Sequence, residues 1–185
     1  GLLAEALERQ QSGGLFFIEI ASALGLRERY GYAAYERLMT QAGHRLASAA
    51  HPYPLARLND NSFLLLGVDM PENSLEQHAL EIRQRLSANA FSVREEESVH
   101  VRCAIGVAPL GLGFDDTGSA LEAVERTALQ ARLRSDGVQV YLAPSQAEQQ
   151  EQLRLVEGQL ELAYQPIVAV AGGDTAQYQV LLRLR

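Results

Sequence analysis

The sequence has little of the chemistry that marks disulfide-bonded, membrane or nucleic-acid-binding proteins. Cys103 is the only cysteine among 185 residues, so an intrachain disulfide is excluded and we expect a reducing, cytoplasmic location. Every apolar run is shorter than the roughly 18 residues that a membrane-spanning helix needs. A net charge of -7 disfavours non-specific binding to nucleic acid or anionic lipid. These absences leave an ordinary globular domain as the simplest interpretation.

General ligand-binding motifs are absent as well. The sequence has no Walker loop, no glycine-rich dinucleotide turn and no cysteine–histidine spacing typical of zinc sites. The four histidines are scattered along the chain. A Cys103–His100 catalytic pair is unsuitable, because residues three apart on one strand point to opposite faces. We therefore predict that Cys103 is a small core residue.

Apolar runs of strand length alternate with segments of helical periodicity. The pattern predicts helices over residues 2–11, 28–50, from Pro71 through Leu86, and 116–134. It predicts strands over residues 15–20, 99–108 and 138–142, and a solvated loop at Glu95–Glu97. Residues 54–58 and 63–68 are apolar runs that flank the polar residues Asn59, Asp60, Asn61 and Ser62, which indicates a β-hairpin. Helices interleaved with strands predict an α/β fold with a mixed sheet flanked by helices.

Composition also divides the chain. We predict a first domain over residues 1–143 and a polar connector helix, rich in glutamine and glutamate, over residues 144–158. Residues 159–185 contain two further strand-like runs separated by a Gly-Gly-Asp turn. They are expected to begin a second domain.

The hairpin carries a family resemblance. Arg57-Leu58-Asn59-Asp60-Asn61-Ser62-Phe63 resembles the Arg-x-Gly-Gly-Asp-Glu-Phe hairpin of diguanylate cyclase (GGDEF) domains, whose tip binds GTP. The outer Arg57 and Phe63 match, and the four tip residues differ. This resemblance implies the GGDEF, nucleotidyl-cyclase-like fold, with the hairpin at a former active site.

Three other segments strengthen the resemblance. Residues 19–32 resemble the family's Asp-x-Asp strand and the loop after it, with Glu19 at the first Asp, Ala21 at the second and Arg27 at an Asn. Residues 104–108, Ala-Ile-Gly-Val-Ala, nearly reproduce the family's Ser-Ile-Gly-Val-Ala strand. Residues 128–137 resemble its closing helix and glycine turn, with about one extra residue. The resemblance covers roughly residues 1–142.

The altered tip is poorly suited to making cyclic di-GMP. The family uses Mg²⁺ or Mn²⁺, and hard oxygen ligands are required for such ions. Of the positions that the resemblance assigns to metal, Glu19 keeps a carboxylate, whereas Ala21, Asn61 and Ser62 are neutral. Asn59 and Asp60 replace the glycines that allow close approach of a phosphate. A structural turn is the leading hypothesis; residual GTP binding and cyclisation are the alternatives.

Other nucleotide contacts are changed too. The resemblance places Arg27 and Glu36 where the family contacts guanine, so Glu36 alone keeps a matching group. The product-inhibition motif Arg-x-x-Asp falls at Ala50 and Tyr53, neither of which is charged. Feedback inhibition is therefore expected to be absent.

The C-terminal segment resembles the start of an EAL domain, the cyclic-di-GMP phosphodiesterase family. Residues 164–168 (Tyr-Gln-Pro-Ile-Val) match its opening strand, and residues 179–183 (Gln-Val-Leu-Leu-Arg) fall at its Glu-Ala-Leu-Leu-Arg motif. The resemblance assigns Gln179 to the position of a metal-binding glutamate, which a neutral amide serves poorly. It assigns Gln165, Leu181 and Arg183 to the cyclic-di-GMP pocket; packing alone is the other interpretation of Gln165 and Leu181.

The tandem resembles FimX-type cyclic-di-GMP effectors, in which both domains are degenerate. Our hypothesis is a non-catalytic cyclic-di-GMP receptor, with no cofactor in this fragment and with protein partners in pilus or biofilm regulation. A homodimer belongs to the same hypothesis. The alternatives are a phosphodiesterase regulated by GTP bound to the GGDEF-like domain and a scaffold that binds no nucleotide.

Overall fold

This computed structural model describes residues 1–143, 148, 160–167 and 177–184. The chain forms two compact units, Gly1–Leu142 and Ala143–Arg185. The predicted connector helix over residues 144–158 lies outside the described residues, apart from Glu148. In the part that is described, no helix is long and apolar enough to cross a membrane.

The first unit alternates helices with strands, as its sequence pattern predicts. Its helices are α1 (Leu2–Glu8), α2 (Ala23–Tyr30), α3 (Tyr32–Ala50), α4 (Leu75–Ser87) and α5 (Thr117–Ala131). Its strands are β1 (Gly13–Ile20), β2 (Leu55–Asn59), β3 (Ser62–Val68), β4 (Phe91–Arg94), β5 (Glu97–Val99), β6 (Cys103–Pro109) and β7 (Val138–Val140). Short 3₁₀ turns occupy Glu72–Ser74 and Leu110–Leu112.

Five strands form one mixed sheet in the order β2-β3-β1-β6-β7. The first four strands run antiparallel to their neighbours, and β7 runs parallel to β6. The predicted hairpin is confirmed as β2 and β3, at one edge of this sheet. The mixed sheet with flanking helices confirms the predicted α/β fold.

The central strand β1 packs on both of its faces. Phe16, Ile18 and Ile20 belong to the larger apolar core, which includes residues of α3 and α4. Leu15 and Phe17 belong to a second core, with residues of α1 and α5. Alternate residues of a strand point to opposite faces, so helices on both sides explain why this strand is apolar almost without interruption.

Two predicted elements are wrong in detail. The helix expected over residues 28–50 is broken at Gly31, which has φ of 81° and separates α2 from α3. Glycine adopts this conformation without the cost that a side chain imposes. The strand expected over residues 99–108 is also divided, because β5 ends at Val99 and pairs with β4 rather than continuing into β6. Of the expected loop at Glu95–Glu97, the first two residues form the turn between β4 and β5, and Glu97 is the first residue of β5.

Cys103 lies in the core, as predicted. Its side chain is buried, and burial raises the pKa of the thiol to about 12. His100 is exposed, with its Nδ1 3.1 Å from the carbonyl oxygen of Ser87. The structure therefore gives no support to a catalytic pairing of these two residues.

We expect Gly106→Ala to destabilise the first unit severely. A Cβ at this position in β6 would lie 2.4 Å from the amide nitrogen of Ala128 and 2.6 Å from the carbonyl oxygen of Val124, both in the backbone of α5. Backbone atoms cannot move aside by rotamer change, so the expected loss is about 3 kcal/mol or more. Urea denaturation followed by circular dichroism measures it.

Gly25→Ala is the matched control. No atom lies within 4 Å of a Cβ built at Gly25 in α2, so alanine is expected to leave stability unchanged or raise it by up to about 1 kcal/mol. Equal effects of the two substitutions would contradict the close packing of β6 against α5.

Candidate functional site

The tip of the β2–β3 hairpin is held by its own side chains. Asn59 Oδ1 accepts hydrogen bonds from the backbone N–H of Asn61 (3.1 Å) and from the hydroxyl of Ser62 (2.7 Å). Ser62 is fully buried. An asparagine that accepts a hydrogen bond from the backbone two residues on forms an Asx turn. Asn59 and Ser62 therefore stabilise the bend that glycines make in the resembling family.

Arg57 and Tyr35 donate hydrogen bonds to backbone oxygens of the same tip. Arg57 donates from Nε to the carbonyl oxygen of Asn59 and from Nη2 to that of Asp60, each at 3.0 Å. The hydroxyl of Tyr35 donates to the same Asp60 oxygen at 2.8 Å. Burial raises the pKa of Tyr35, which keeps this hydroxyl protonated as a donor.

Arg57 also forms a two-pronged ion pair with Glu36 of α3. Its Nη1 and Nη2 lie 2.7 and 3.0 Å from the two carboxylate oxygens. Hydrogen bonding to Arg57 lowers the pKa of Glu36, and the same interaction raises the pKa of Arg57. Arg57 thus fixes the carboxylate that the resemblance assigns to guanine recognition.

A second arginine holds Glu19 near the end of β1. Arg132, directly after α5, donates from Nε and Nη2 to the two carboxylate oxygens, both at 2.5 Å. The interaction with Glu19 raises the pKa of Arg132. The Glu19 side chain is 13% exposed, so the pair is partly shielded from water. Arg132 supplies positive charge where the resemblance expects a metal.

The residues at this position do not fit a divalent cation. Mg²⁺ prefers several oxygen ligands, usually including carboxylates. Glu19 is already held by a guanidinium, Ala21 has no donor atom, and the buried Ser62 hydroxyl is directed to Asn59. Among the residues that the structure describes, no group of three or more His, Cys, Asp or Glu is placed to hold a metal ion.

Arg27, which the resemblance assigns to guanine recognition, lies beside the tip of the hairpin. Its Nη1 is 3.4 Å from a carboxylate oxygen of the exposed Asp60, and its guanidinium lies 6.0 Å from the centre of the Tyr35 ring. All three residues line a small cleft of about 240 Å³. The structure thus brings Arg27, Asp60 and Tyr35 together.

A larger cleft of about 460 Å³ opens next to Glu19. One part of its wall is formed by Ala21 and Ser22, which follow β1, and by Ala23 and Leu24 at the start of α2. The cleft is notable for its guanidinium groups, which come from Arg83, Arg102, Arg132 and Arg134. Its charge therefore favours an anion over a metal cation.

Three functional contacts in this region were not predicted from sequence. These are the Arg132–Glu19 pair, the Tyr35–Asp60 hydrogen bond and the fork between Arg57 and Glu36. Tyr35 lies within the segment predicted as a helix over residues 28–50, and that periodicity predicts no contact with the hairpin. The extra residue between Ala128 and Gly137 was the one sequence signal that the end of α5 departs from the family.

The positions of the product-inhibition motif carry no charge in the folded chain. Ala50 is buried, and Tyr53 is partly buried against the larger core. Neither side chain offers a guanidinium or carboxylate to a nucleotide.

In the second unit, strands β8 (Leu160–Ile167) and β9 (Gln177–Leu184) pair in antiparallel register. Gln165 is opposite Gln179, Ala163 is opposite Leu181, and Glu161 is opposite Arg183. The side chains assigned to the cyclic-di-GMP pocket and to metal, those of Gln165, Leu181, Arg183 and Gln179, lie outside what the structure describes. Those assignments remain predictions.

Comparison with known families identifies the family of the first unit. A family model described as "Diguanylate cyclase, GGDEF domain" matches residues 2–137. The chain belongs to the GGDEF domain family. No match to a curated protein was found.

Solved GGDEF domains share this fold at low sequence identity. The active GGEEF domain of a diguanylate cyclase from Vibrio cholerae is 17% identical, with a TM-score of 0.65 over 76% of this chain and 89% of that one. The FimX GGDEF domain from Pseudomonas aeruginosa is 18% identical, with a TM-score of 0.66 over 75% and 86%. The DgcB GGDEF domain from Caulobacter crescentus, solved with c-di-GMP, is 20% identical, with a TM-score of 0.62 over 74% and 82%.

We expect Glu36→Gln to reveal the Arg57 fork through its pH dependence. At neutral pH the substitution should lower the free energy of unfolding by about 1 kcal/mol, the upper range for partly exposed ion pairs. The lowered pKa of Glu36 means that its contribution is present above the usual value of 4.5 and is lost as the pH falls through the folded-state pKa. The difference between the two proteins should therefore shrink below that pH.

Glu122→Gln is the control for this prediction. Glu122 pairs with Arg126 within α5, and both side chains are well exposed, so its loss should cost about 0.3 kcal/mol. Urea titrations from pH 3 to 7 compare the two variants. An effect of Glu36→Gln no larger than the control, or one unchanged at pH 3, would show that the fork does not stabilise the site.

Proposed function

We propose that this GGDEF domain is inactive as a cyclase and serves as a scaffold or regulatory module in cyclic-di-GMP signalling. The observation that carries the proposal is that arginines hold both carboxylates that are kept at the family's metal and guanine positions. Glu19 is held by Arg132 and Glu36 by Arg57, each through both oxygens. A metal or a guanine base would have to displace an arginine to reach either one.

The hairpin supports the same conclusion. Its tip carries Asp60 where a phosphate would approach, and two like charges about 4 Å apart repel by roughly 1 kcal/mol in water and by more in a partly dry cleft. The backbone oxygens of Asn59 and Asp60 are already satisfied by Arg57 and Tyr35. The tip is stable without a nucleotide.

We further propose that residues 159–185 begin an EAL-like domain that binds cyclic di-GMP, with residues 144–158 as its connector. Gln165, Leu181 and Arg183 would contact the ligand, and Arg suits a phosphate because its planar fork donates two hydrogen bonds. Neutral Gln179 disfavours metal-dependent hydrolysis. The DgcB GGDEF domain was solved with c-di-GMP; here Ala50 and Tyr53 replace the charged inhibition motif, which favours the EAL-like part as the receptor.

The output of this receptor follows from the resemblance to FimX-type effectors. We propose control of type IV pili, twitching motility and biofilm formation through protein partners. The shared fold with the FimX GGDEF domain supports the comparison at the level of architecture.

We expect calorimetry on the full-length protein to detect cyclic-di-GMP binding. Arg183→Ala should weaken it by about tenfold or more, because a charge-assisted hydrogen bond to phosphate is lost. Arg126→Ala is the control, since that exposed guanidinium pairs only with Glu122 in its own helix among the described residues. Absence of binding, or an equal loss of affinity in both variants, would contradict the receptor assignment.

Turnover assays separate this proposal from its enzymatic alternative, a phosphodiesterase regulated by GTP. With Mg²⁺ or Mn²⁺, we expect the full-length protein to convert neither GTP to cyclic di-GMP nor cyclic di-GMP to its linear product. Cleavage that rises when GTP is added would establish the alternative. Cyclase activity would show that the arginine pairs do not block the site.

A further inference from the structure

Basic residues are concentrated in one cleft of an acidic protein. The chain has a net charge of -7, and all 16 of its basic residues are arginines. Four of these arginines line the cleft next to Glu19: Arg83, Arg102, Arg132 and Arg134. Guanidinium groups repel one another, so their convergence raises the question of which anion compensates them.

Two of the four arginines are compensated by nearby carboxylates. Arg132 is paired with Glu19, and Arg134 lies 3.2 Å from both oxygens of Asp136. Glu76 also contributes to the raised pKa of Arg134. By contrast, Arg83 and Arg102 form no ion pair within 4 Å among the described residues. The pKa of Asp136 is lowered chiefly by its hydrogen bond with Arg134, and the charge of Arg83 adds a smaller effect from a longer distance.

Arg83 and Arg102 also line a second, smaller pocket that is polar. The pocket has a volume of about 270 Å³ and is lined by these two arginines with Ser87 and Ser135. Its walls come from α4, from the segment before β6 and from the turn before β7. No residue of the β2–β3 hairpin lines it, so it is separate from the altered nucleotide tip.

Arg83 is held in place before any ligand arrives. Its Nε donates to the carbonyl oxygen of Cys103 at 2.9 Å. Its guanidinium also packs against Gly137, where an added Cβ would lie 2.3 Å from Nε. Its other N–H groups have no acceptor in the described part of the chain, and Arg83 lines the pocket. A fixed donor group binds an anion with little loss of side-chain entropy.

We propose that this arginine pocket binds a small diphosphate or polyphosphate anion without a divalent cation. Two guanidinium forks on different walls match two phosphoryl groups, because each planar fork donates paired hydrogen bonds. The hydroxyl of Ser135 adds a weaker donor at the same place, whereas that of Ser87 donates to the carbonyl oxygens of Arg83 and Gln84 in its own helix. The inference does not depend on whether the GGDEF domain is catalytic, because it uses none of the hairpin residues.

Pyrophosphate tests the proposal directly. The 185-residue chain is titrated with sodium pyrophosphate at low ionic strength with EDTA, by calorimetry and by amide NMR. We expect saturable binding, with shifts at Ser87, Arg102 and the Ser135–Gly137 turn. Arg102→Gln should weaken binding about tenfold, since a charge-assisted hydrogen bond is removed.

Arg37→Gln is the matched control. Arg37 lies exposed on α3, so this variant changes the net charge by the same amount without touching the pocket. Ser135→Glu is a second variant, in which a carboxylate at the exposed pocket rim should abolish binding by repulsion. Thermal denaturation verifies that each variant is folded.

The outcomes decide the proposal in either direction. Weakening by Arg102→Gln and Ser135→Glu, with Arg37→Gln unchanged, would establish the pocket. Binding that is absent or non-saturable, that requires Mg²⁺, or that falls equally in Arg102→Gln and Arg37→Gln would overturn it.

Discussion

The character of this domain depends on one kind of interaction, the two-pronged pairing of arginine with glutamate. A guanidinium that donates to both oxygens of a carboxylate fixes its position and places a positive charge beside it. A divalent cation at the same carboxylate would meet that charge at close range. Arg132 imposes this condition on Glu19, and Arg57 imposes it on Glu36. We propose that the two pairs close the positions that the resemblance assigns to metal and to guanine.

The hairpin has changed in the same direction. A glycine-rich tip allows close approach of a phosphate. Here the backbone N–H of Asn61 donates to Asn59, and the carbonyl oxygens of Asn59 and Asp60 accept from Arg57 and Tyr35. The sheet below it remains that of the family, and Gly106 still allows β6 to approach α5 at backbone distance. The family's fold is therefore present, and the side chains at the positions that the resemblance assigns to the substrate contact one another.

Sequence reasoning was strongest where structure depends on local pattern. The apolar run over residues 15–20 predicted β1, and the polar residues 59–62 between two apolar runs predicted the hairpin. The interleaving of helices with strands predicted the mixed sheet. The break at Gly31 was missed because a single glycine does not reveal whether its backbone adopts positive φ. The Arg132–Glu19 pair joins residues 113 positions apart, so it depends on how α5 packs on the sheet. No local pattern contains that information.

The most direct measurement of the central claim is a Mn²⁺ titration of the 185-residue chain, followed by electron paramagnetic resonance and repeated with Arg132→Ala. If Arg132 occupies the place of the metal, the unchanged chain binds no Mn²⁺ at this site, and the spectrum stays that of the free ion. Stoichiometric Mn²⁺ binding by the unchanged chain that disappears in Glu19→Gln would contradict the account. Any affinity gained in Arg132→Ala alone would further support it, since that variant releases Glu19 from its guanidinium.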